Sequence, residues 1–131
     1  MSAKIGIWVS YSLAAEIRKL AGSDFIIGVT AKTVEQALRA QADGADYIGS
    51  GAVFPSPTKQ GAIRITKDQL KEICSSVQIP AVAIGGVSLD NMKELKGCGM
   101  AGFAVVSAVF AAEDIRETAG LMRSEAERLV D

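Results

Sequence analysis

The 131-residue chain contains no histidine, and that absence removes several kinds of chemistry at once. A Ser-His catalytic triad, an imidazole general base and the usual zinc sites are excluded. Cysteine is also scarce: Cys74 and Cys98 stand apart without metal-site spacing. We expect both to be buried, reduced thiols in a cytoplasmic protein.

The chain also lacks a strong charge of either sign and any long apolar run. Its 14 basic and 15 acidic residues nearly cancel, so no bulk positive field indicates a nucleic-acid partner. No apolar segment approaches the roughly 20 residues of a membrane span, and no convincing signal-peptide pattern follows Lys4. The hydrophobic content of 49% predicts a single globular domain over residues 1–131.

The chain does contain a repeated strand-then-helix pattern. Strands are predicted at 25–29, 47–51, 81–84 and 103–106, with a further possible strand at 5–9 and a helix at 13–20. Thr33, Thr66 and Ser88 are predicted to cap the helices that follow three of these strands, and a last helix is predicted at 114–130. Gly44 is placed to end a helix in a left-handed turn.

This alternation predicts an α/β fold with parallel strands and right-handed crossovers. A complete (β/α)₈ barrel needs about 200 residues or more, which exceeds the length of this chain. Two architectures remain open at this point. One is an open α/β sheet, and the other is four to five βα units that correspond to the second half of a TIM (β/α)₈ barrel.

The loop after the second predicted strand has the features of an anion site. Pro55 and Pro57 restrict the backbone around them, so Ser56, Thr58 and Lys59 extend from a stiffened segment. Two hydroxyl groups and one fixed positive charge suit an anionic ligand. An ordinary strand-to-loop exit with polar residues is the alternative interpretation.

Two later loops strengthen the interpretation as a half-barrel. In (β/α)₈ enzymes the loops after strands 7 and 8 commonly form a phosphate site. Here the last two predicted strands end in Gly85-Gly86 and in Val106-Ser107, where main-chain amides could approach phosphate oxygens closely. Thr30, directly after the first predicted strand, would complete a polar ring on the same rim.

Other polar and aromatic residues are interpreted as structural. Asp43 and Asp46 suit turn chemistry. Charges on the first predicted helix suit a solvated helix face, and two aromatic residues near the start of the chain are more typical of packing groups than of stacking platforms. These residues are Glu16, Arg18, Lys19, Trp8 and Tyr11.

Taken together, the motifs at 26–33, 43–49, 54–59, 80–87 and 105–108 resemble thiamine-phosphate synthase. The resemblance runs in order from about residue 12 to 131. Members of that family are (β/α)₈ barrels that join a hydroxymethylpyrimidine diphosphate to a thiazole phosphate, with Mg²⁺, and release diphosphate. The resemblance therefore implies a transferase of thiamine biosynthesis that corresponds to the C-terminal half of the barrel only.

The resemblance also implies roles for individual residues. Ser56 and Thr58 would contact the thiazole phosphate, and Lys59 would be the catalytic residue that holds the diphosphate leaving group. The main-chain amides of three further residues would bind the thiazole phosphate, and a threonine would lie near the pyrimidine and diphosphate. These are Gly86, Val106 and Ser107 for the amides and Thr30 for the hydroxyl.

The sequence departs from the family at the predicted metal site. Where the family has a Gly-Gln-x-Asp motif, this chain has Trp8, Val9, Ser10 and Tyr11, and a phenol cannot replace a carboxylate on Mg²⁺. The family's Gln-x-Arg-x-Lys diphosphate clamp has no counterpart in these 131 residues. Magnesium is thus a family expectation whose aspartate ligands are missing here.

Two classes of function remain open. The chain could be a transferase that needs an N-terminal half-barrel from elsewhere, or a non-catalytic phosphate-binding half-barrel that self-associates through its exposed sheet. The related thiazole tautomerase is disfavoured, because such enzymes are expected to use a histidine base and this chain has none.

Overall fold

The computed structural model describes residues 5–55 and 64–130. Within them, strands alternate with helices along the chain. The strands are β1 (Gly6–Ser10), β2 (Ile26–Thr30), β3 (Tyr47–Ser50), β4 (Ala81–Ala83) and β5 (Gly102–Phe103). The α-helices are α1 (Ala14–Ala21), α2 (Val34–Ala42), α3 (Lys67–Ser76), α4 (Ser107–Phe110) and α5 (Ile115–Leu129), and a short 3₁₀ helix covers Met92–Leu95. No helix among the described residues is long and apolar enough to cross a membrane.

The strands form one parallel sheet whose spatial order is the same as their order in the sequence, β1 to β5. A doubly wound sheet reverses its direction of growth at a switch point, whereas a (β/α)₈ barrel adds each strand beside the last. The observed order therefore favours the barrel-derived architecture over the open sheet.

The two faces of this sheet differ in composition. One face presents apolar side chains that are fully buried beneath the helices, including those of Ile27, Val29 and Ile48. On the alternate positions the other face presents Gly28 and Gly49, whose missing side chains leave room for neighbours. The first face builds the core, and the second face is the one that would line a barrel interior.

The predicted helix starts at Thr33 and Thr66 are confirmed in different degrees. Thr66 and Gln69 form a reciprocal capping box. Thr33 accepts a hydrogen bond from the amide of Gln36, but the Gln36 side chain accepts from the amide of Lys32 instead of Thr33. Both helices nevertheless begin where the sequence predicts.

The helix predicted after Ser88 is wrong in type. The segment forms only a 3₁₀ helix, and Ser88 is not its capping residue. Instead the side chain of Asn91 organises the preceding turn: its Oδ1 accepts from the amide of Ser88 at 2.9 Å, and its Nδ2 donates to the carbonyl oxygen of Gly86 at 2.8 Å. The glycines that follow at 97 and 99 have positive φ angles, which end the helical segment.

The last predicted strand, 103–106, is also shorter than expected. β5 covers only Gly102–Phe103, and one further hydrogen bond joins the amide of Ala104 to the carbonyl oxygen of Ala83 at 2.9 Å. The chain then turns into α4, which begins at Ser107. Val106 consequently lies in a turn and not in a strand.

Arg18 is not part of a solvated helix face, so that prediction is wrong for this residue. Its side chain is only 21% exposed and forms an ion pair with Asp46 at 2.7 Å. The guanidinium also donates to the carbonyl oxygens of three residues that follow α1 and α2, namely Gly22, Phe25 and Gly44. The planar guanidinium group of arginine suits this position, because its N–H donors can bind several acceptors at once.

Candidate functional site

A cavity of about 360 Å³ opens at the carboxyl ends of the strands. Its wall includes residues from β1 and β2, the chain just after β3, the turn after β4 and the segment after β5. Four residues that the sequence assigned to ligand binding lie in this wall: Thr30, Gly86, Val106 and Ser107. The fold thus brings together residues that are separated by up to 77 positions in the sequence (107 − 30).

The glycine turn after β4 is tightly joined to the chain after β3. Gly85 and Gly86 have φ angles of 84° and 71°, a conformation that side chains rarely adopt. A Cβ atom at Gly86 would lie 2.5 Å from the carbonyl oxygen of Phe54 and 2.6 Å from that of Pro55. The amide of Phe54 also donates to the carbonyl oxygen of Gly85 at 3.3 Å. Glycine at position 86 is therefore required by both its conformation and this close approach.

The cavity wall offers main-chain amides to a ligand. Among the described residues, the amides of Gly85, Gly86, Val106 and Ser107 donate no hydrogen bond to another group. Successive amides in a turn form a concave surface that suits anions. The turn after β4 and the turn before α4 thus contain main-chain donors with no acceptor among the described residues.

Ser56, Thr58 and Lys59 lie outside the described residues, so their roles stay predictions. The described residues on either side of this stretch contact residues that line the cavity. Pro55, the last residue before it, contacts Gly86, and the amide of Ile65, shortly after it, donates to the carbonyl oxygen of Ala52 at 2.9 Å. Ala52 and Gly86 both line the cavity.

The cavity wall also contains Trp8, Lys32 and Tyr47, and none of these three was predicted to belong to the site. Trp8 is 42% exposed, and its indole Nε1 donates to Thr30 Oγ1 at 2.9 Å. Interpreting Trp8 as a packing residue was therefore incomplete. The available sequence signal was a lone tryptophan on a strand whose neighbours carry glycines, Gly28 and Gly49.

Tyr11, in contrast, has the structural role that the sequence predicts. It is partly buried and packs against the core, and the guanidinium carbon of Arg39 lies 5.6 Å from the centre of its ring. This arrangement fits a cation–π contact. Tyr11 is not among the residues that line the cavity.

The described residues do not fit a magnesium site. They contain no group of three or more histidine, cysteine, aspartate or glutamate residues that could hold a metal ion. The described wall of the cavity contains no carboxylate, whereas Mg²⁺ prefers carboxylate oxygens among protein ligands.

The sheet order and the position of the cavity define the class of this protein. It has the fold of the (β/α)-barrel proteins, with a small-molecule cavity at the carboxyl ends of parallel strands. The family model described as thiamine monophosphate synthase matches residues 11–109. The chain belongs to the thiamine monophosphate synthase family.

Individual relatives support the same assignment. The chain is 52% identical over 98 residues to thiamine-phosphate synthase 2 of Streptococcus pneumoniae (strain TIGR4), covering 75% of this chain and 47% of that protein. It is 46% identical over 101 residues to thiamine-phosphate synthase of Clostridium tetani, covering 77% of this chain and 48% of that protein. The chain thus spans about half the length of the curated relatives it matches.

Solved structures confirm the fold. The thiamine phosphate pyrophosphorylase from Pyrococcus furiosus superposes with a TM-score of 0.85 at 37% identity, covering 96% of this chain and 61% of that one. A 3-hexulose-6-phosphate synthase at 16% identity and a TM-score of 0.66 shows a likeness of fold alone. The predicted family and the predicted barrel-derived fold are both confirmed.

Proposed function

We propose that this chain supplies the thiazole-phosphate half of a thiamine-phosphate synthase site. In the complete reaction a hydroxymethylpyrimidine diphosphate is coupled to a thiazole phosphate with release of diphosphate. One observation carries the proposal: Thr30, Gly86, Val106 and Ser107, which the family resemblance assigned to ligands, line a single cavity.

The residue types fit this chemistry. Cleaving the carbon–oxygen bond to diphosphate places negative charge on the leaving group, so a positioned lysine lowers the barrier electrostatically. Lys59 has this role in the proposal, and Lys32 brings a second positive charge to the cavity wall. Such a reaction needs no imidazole base, so the lack of histidine is compatible with it.

The thiazole phosphate would lie with its phosphate at the other end of the cavity. Its phosphate would accept hydrogen bonds from the amides of Gly86, Val106 and Ser107, with the hydroxyls of Ser56 and Thr58 completing the site. Thr30 would face the pyrimidine and diphosphate. Members of the family are generally magnesium-dependent, and because the described wall of the cavity holds no carboxylate, the ligands of Mg²⁺ would come from the part that completes the barrel.

Activity would require a completed barrel. The described residues contain five parallel strands, and a (β/α)₈ barrel has eight. A missing N-terminal half-barrel would supply the three remaining strands, whereas a second copy would bring five more. We therefore favour the N-terminal half-barrel as the partner.

A buried position for both thiols, Cys74 and Cys98, also fits a reducing compartment such as the cytoplasm.

The second candidate function is a non-catalytic phosphate-binding half-barrel that self-associates. The observation in its favour is the exposure of large apolar groups: Ile7 on the unpaired β1 edge, and Val106 and Phe110 near the other end of the sheet, are 40%, 72% and 71% exposed. Exposed apolar groups beside an unpaired strand favour association with another surface.

A transferase assay distinguishes the two functions. The chain is assayed with both substrates and Mg²⁺, alone and after co-expression with the part of the Streptococcus pneumoniae relative that it does not match. We expect turnover only with the added part, and binding of thiazole phosphate in both cases by calorimetry. Binding without turnover in either sample would favour the non-catalytic half-barrel, and a monomer at high concentration by light scattering would argue against its self-association.

A further inference from the structure

We propose that Trp8 determines ligand specificity by providing a surface on which a planar heteroaromatic ring stacks. The ligand class is a phosphate monoester of a heteroaromatic alcohol. This rests on the proposed function for the position of the phosphate, at the turns after β4 and β5. The stacking role itself depends on the contacts of Trp8 with its neighbours on the sheet.

Part of the Trp8 indole packs directly against the main chain of β2 and β3. Trp8 pairs with Gly28 in the register of β1 and β2, and a Cβ atom at Gly28 would lie 2.6 Å from Trp8 Cε3. A Cβ atom at Gly49, one strand further, would overlap Trp8 Cη2 and lie 2.7 Å from Cζ2. Only glycine at both positions admits the ring, so its position on the sheet is fixed by two neighbouring strands.

Two further contacts hold the ring. Its Nε1 donates to Thr30 Oγ1 at 2.9 Å, and the ring of Tyr47 packs beside it with centroids 5.5 Å apart and planes inclined by 51°. Despite these contacts, Trp8 remains 42% exposed, and both aromatic residues line the cavity. The ring is therefore held in place and still accessible from the cavity.

A held aromatic surface beside a cavity is suited to stacking. Offset stacking contributes beyond burial alone, and a ring that is already ordered loses little entropy when a ligand binds. The described part of the cavity has a volume of about 360 Å³, near the lower end for ligand sites, which leaves room for a small phosphorylated ring. The amides near Gly86 and Ser107 would hold the phosphate at the far end.

Fluorescence can report this contact directly, because Trp8 is the only tryptophan in the chain. The wild-type chain is titrated with thiazole phosphate and, as a non-aromatic phosphate monoester, with glycerol 3-phosphate. We expect saturable quenching by the thiazole compound, and a smaller change with glycerol 3-phosphate. Calorimetry then gives the affinity of each ligand for variants that lack the fluorophore.

The variants separate stacking from other roles of Trp8. Trp8→Ala should weaken the binding of thiazole phosphate about 2- to 10-fold while leaving the affinity for glycerol 3-phosphate unchanged. Trp8→Phe keeps an aromatic face without the indole donor and should retain most of the affinity. Leu20→Ala, at a position that is 86% exposed on α1, is the matched control for loss of a surface apolar group.

Other results would overturn the proposal. Tighter binding by Trp8→Ala would mean that the indole obstructs the cavity, and equal losses for both ligands would mean a structural role. If Trp8→Ala binds thiazole phosphate with unchanged affinity, the stacking proposal is wrong, whereas the proposed function is unaffected. If the wild type binds neither ligand, the proposed function fails too. Should Trp8→Ala not fold by circular dichroism, Trp8→Phe decides: equal losses for both ligands would overturn the proposal, and retained preference for the ring supports it.

Discussion

The two faces of the sheet differ in how their residues are used. On the helix-covered face, the side chains of Ile27, Val29 and Ile48 are completely buried in the core. On the other face, Gly28 and Gly49 carry no side chain, and Trp8 covers them while remaining partly exposed. The first arrangement suits stability, and the second suits ligands, because it keeps space and polar groups at the carboxyl rim.

This contrast predicts which substitutions should affect stability and which should affect ligand binding. Residues of the buried face should change the free energy of unfolding and leave ligand affinity alone. Residues of the cavity and its rim should change activity and leave stability largely alone.

Lys59→Ala should abolish turnover in a chain whose barrel has been completed. Removing the charge that opposes the developing diphosphate is expected to cost at least about 100-fold in rate. Lys71→Ala, an exposed position on α3, is the control for loss of one lysine and should keep wild-type turnover. The measurement is the initial rate of thiamine phosphate formation, and survival of full activity in Lys59→Ala would contradict the assigned role.

Ile48→Ala should destabilise the chain by about 2–5 kcal/mol, because it opens a cavity in a fully buried site. Ile48→Val removes a single methylene and should cost about 0.5–1.5 kcal/mol. Urea denaturation gives both values. The division between faces would break down if Ile48→Val lowered thiazole phosphate affinity under conditions where the variant remains folded.

Arg18→Ala should cost about 2 kcal/mol of unfolding free energy. The change removes charge-assisted hydrogen bonds to Asp46 and to carbonyl oxygens such as that of Gly44 from a side chain that is 21% exposed. Arg123 is the matched control, since its ion pair with Glu127 is 84% and 68% exposed and should contribute less than about 0.5 kcal/mol. Equal effects of Arg18→Ala and Arg123→Ala in the same denaturation experiment would refute this assignment.

The sequence predicts the sheet and most of the helices because local signals agree with the tertiary structure. Thr66 with Gln69, and Asp114 before the last helix, mark starts that the structure retains. The short 3₁₀ helix was harder to predict, because the side chain of Asn91 stabilises the turn before it through a contact with Gly86. Residues 86 and 91 are too far apart in sequence for a capping pattern to reveal that contact.

The candidate site likewise contains some features that the sequence predicts and others that it does not. Glycine turns such as Gly85-Gly86 are visible in the sequence because few residues adopt their φ angles. The contribution of Trp8 was not visible, since it depends on the register that sets Trp8 beside Gly28 and on the distant hydroxyl of Thr30. Register in a parallel sheet is decided by long-range pairing, which a single strand does not specify.

Ser50 offers the smallest and most discriminating test of the buried face. It lies on β3, is fully buried, and its Oγ has no hydrogen-bond partner among the described residues. Burying an unpaired hydroxyl costs free energy, whereas Ser50→Ala removes that cost and leaves only a small void. We therefore expect the variant to be unchanged or more stable by up to about 1 kcal/mol in urea denaturation, with unaltered thiazole phosphate affinity. Ser75→Ala, at an exposed position of α3, is the control and should stay within about 0.5 kcal/mol. A clear loss of stability in Ser50→Ala alone would show that the hydroxyl has a partner, and the buried face would then depend on a polar contact as well as on apolar packing.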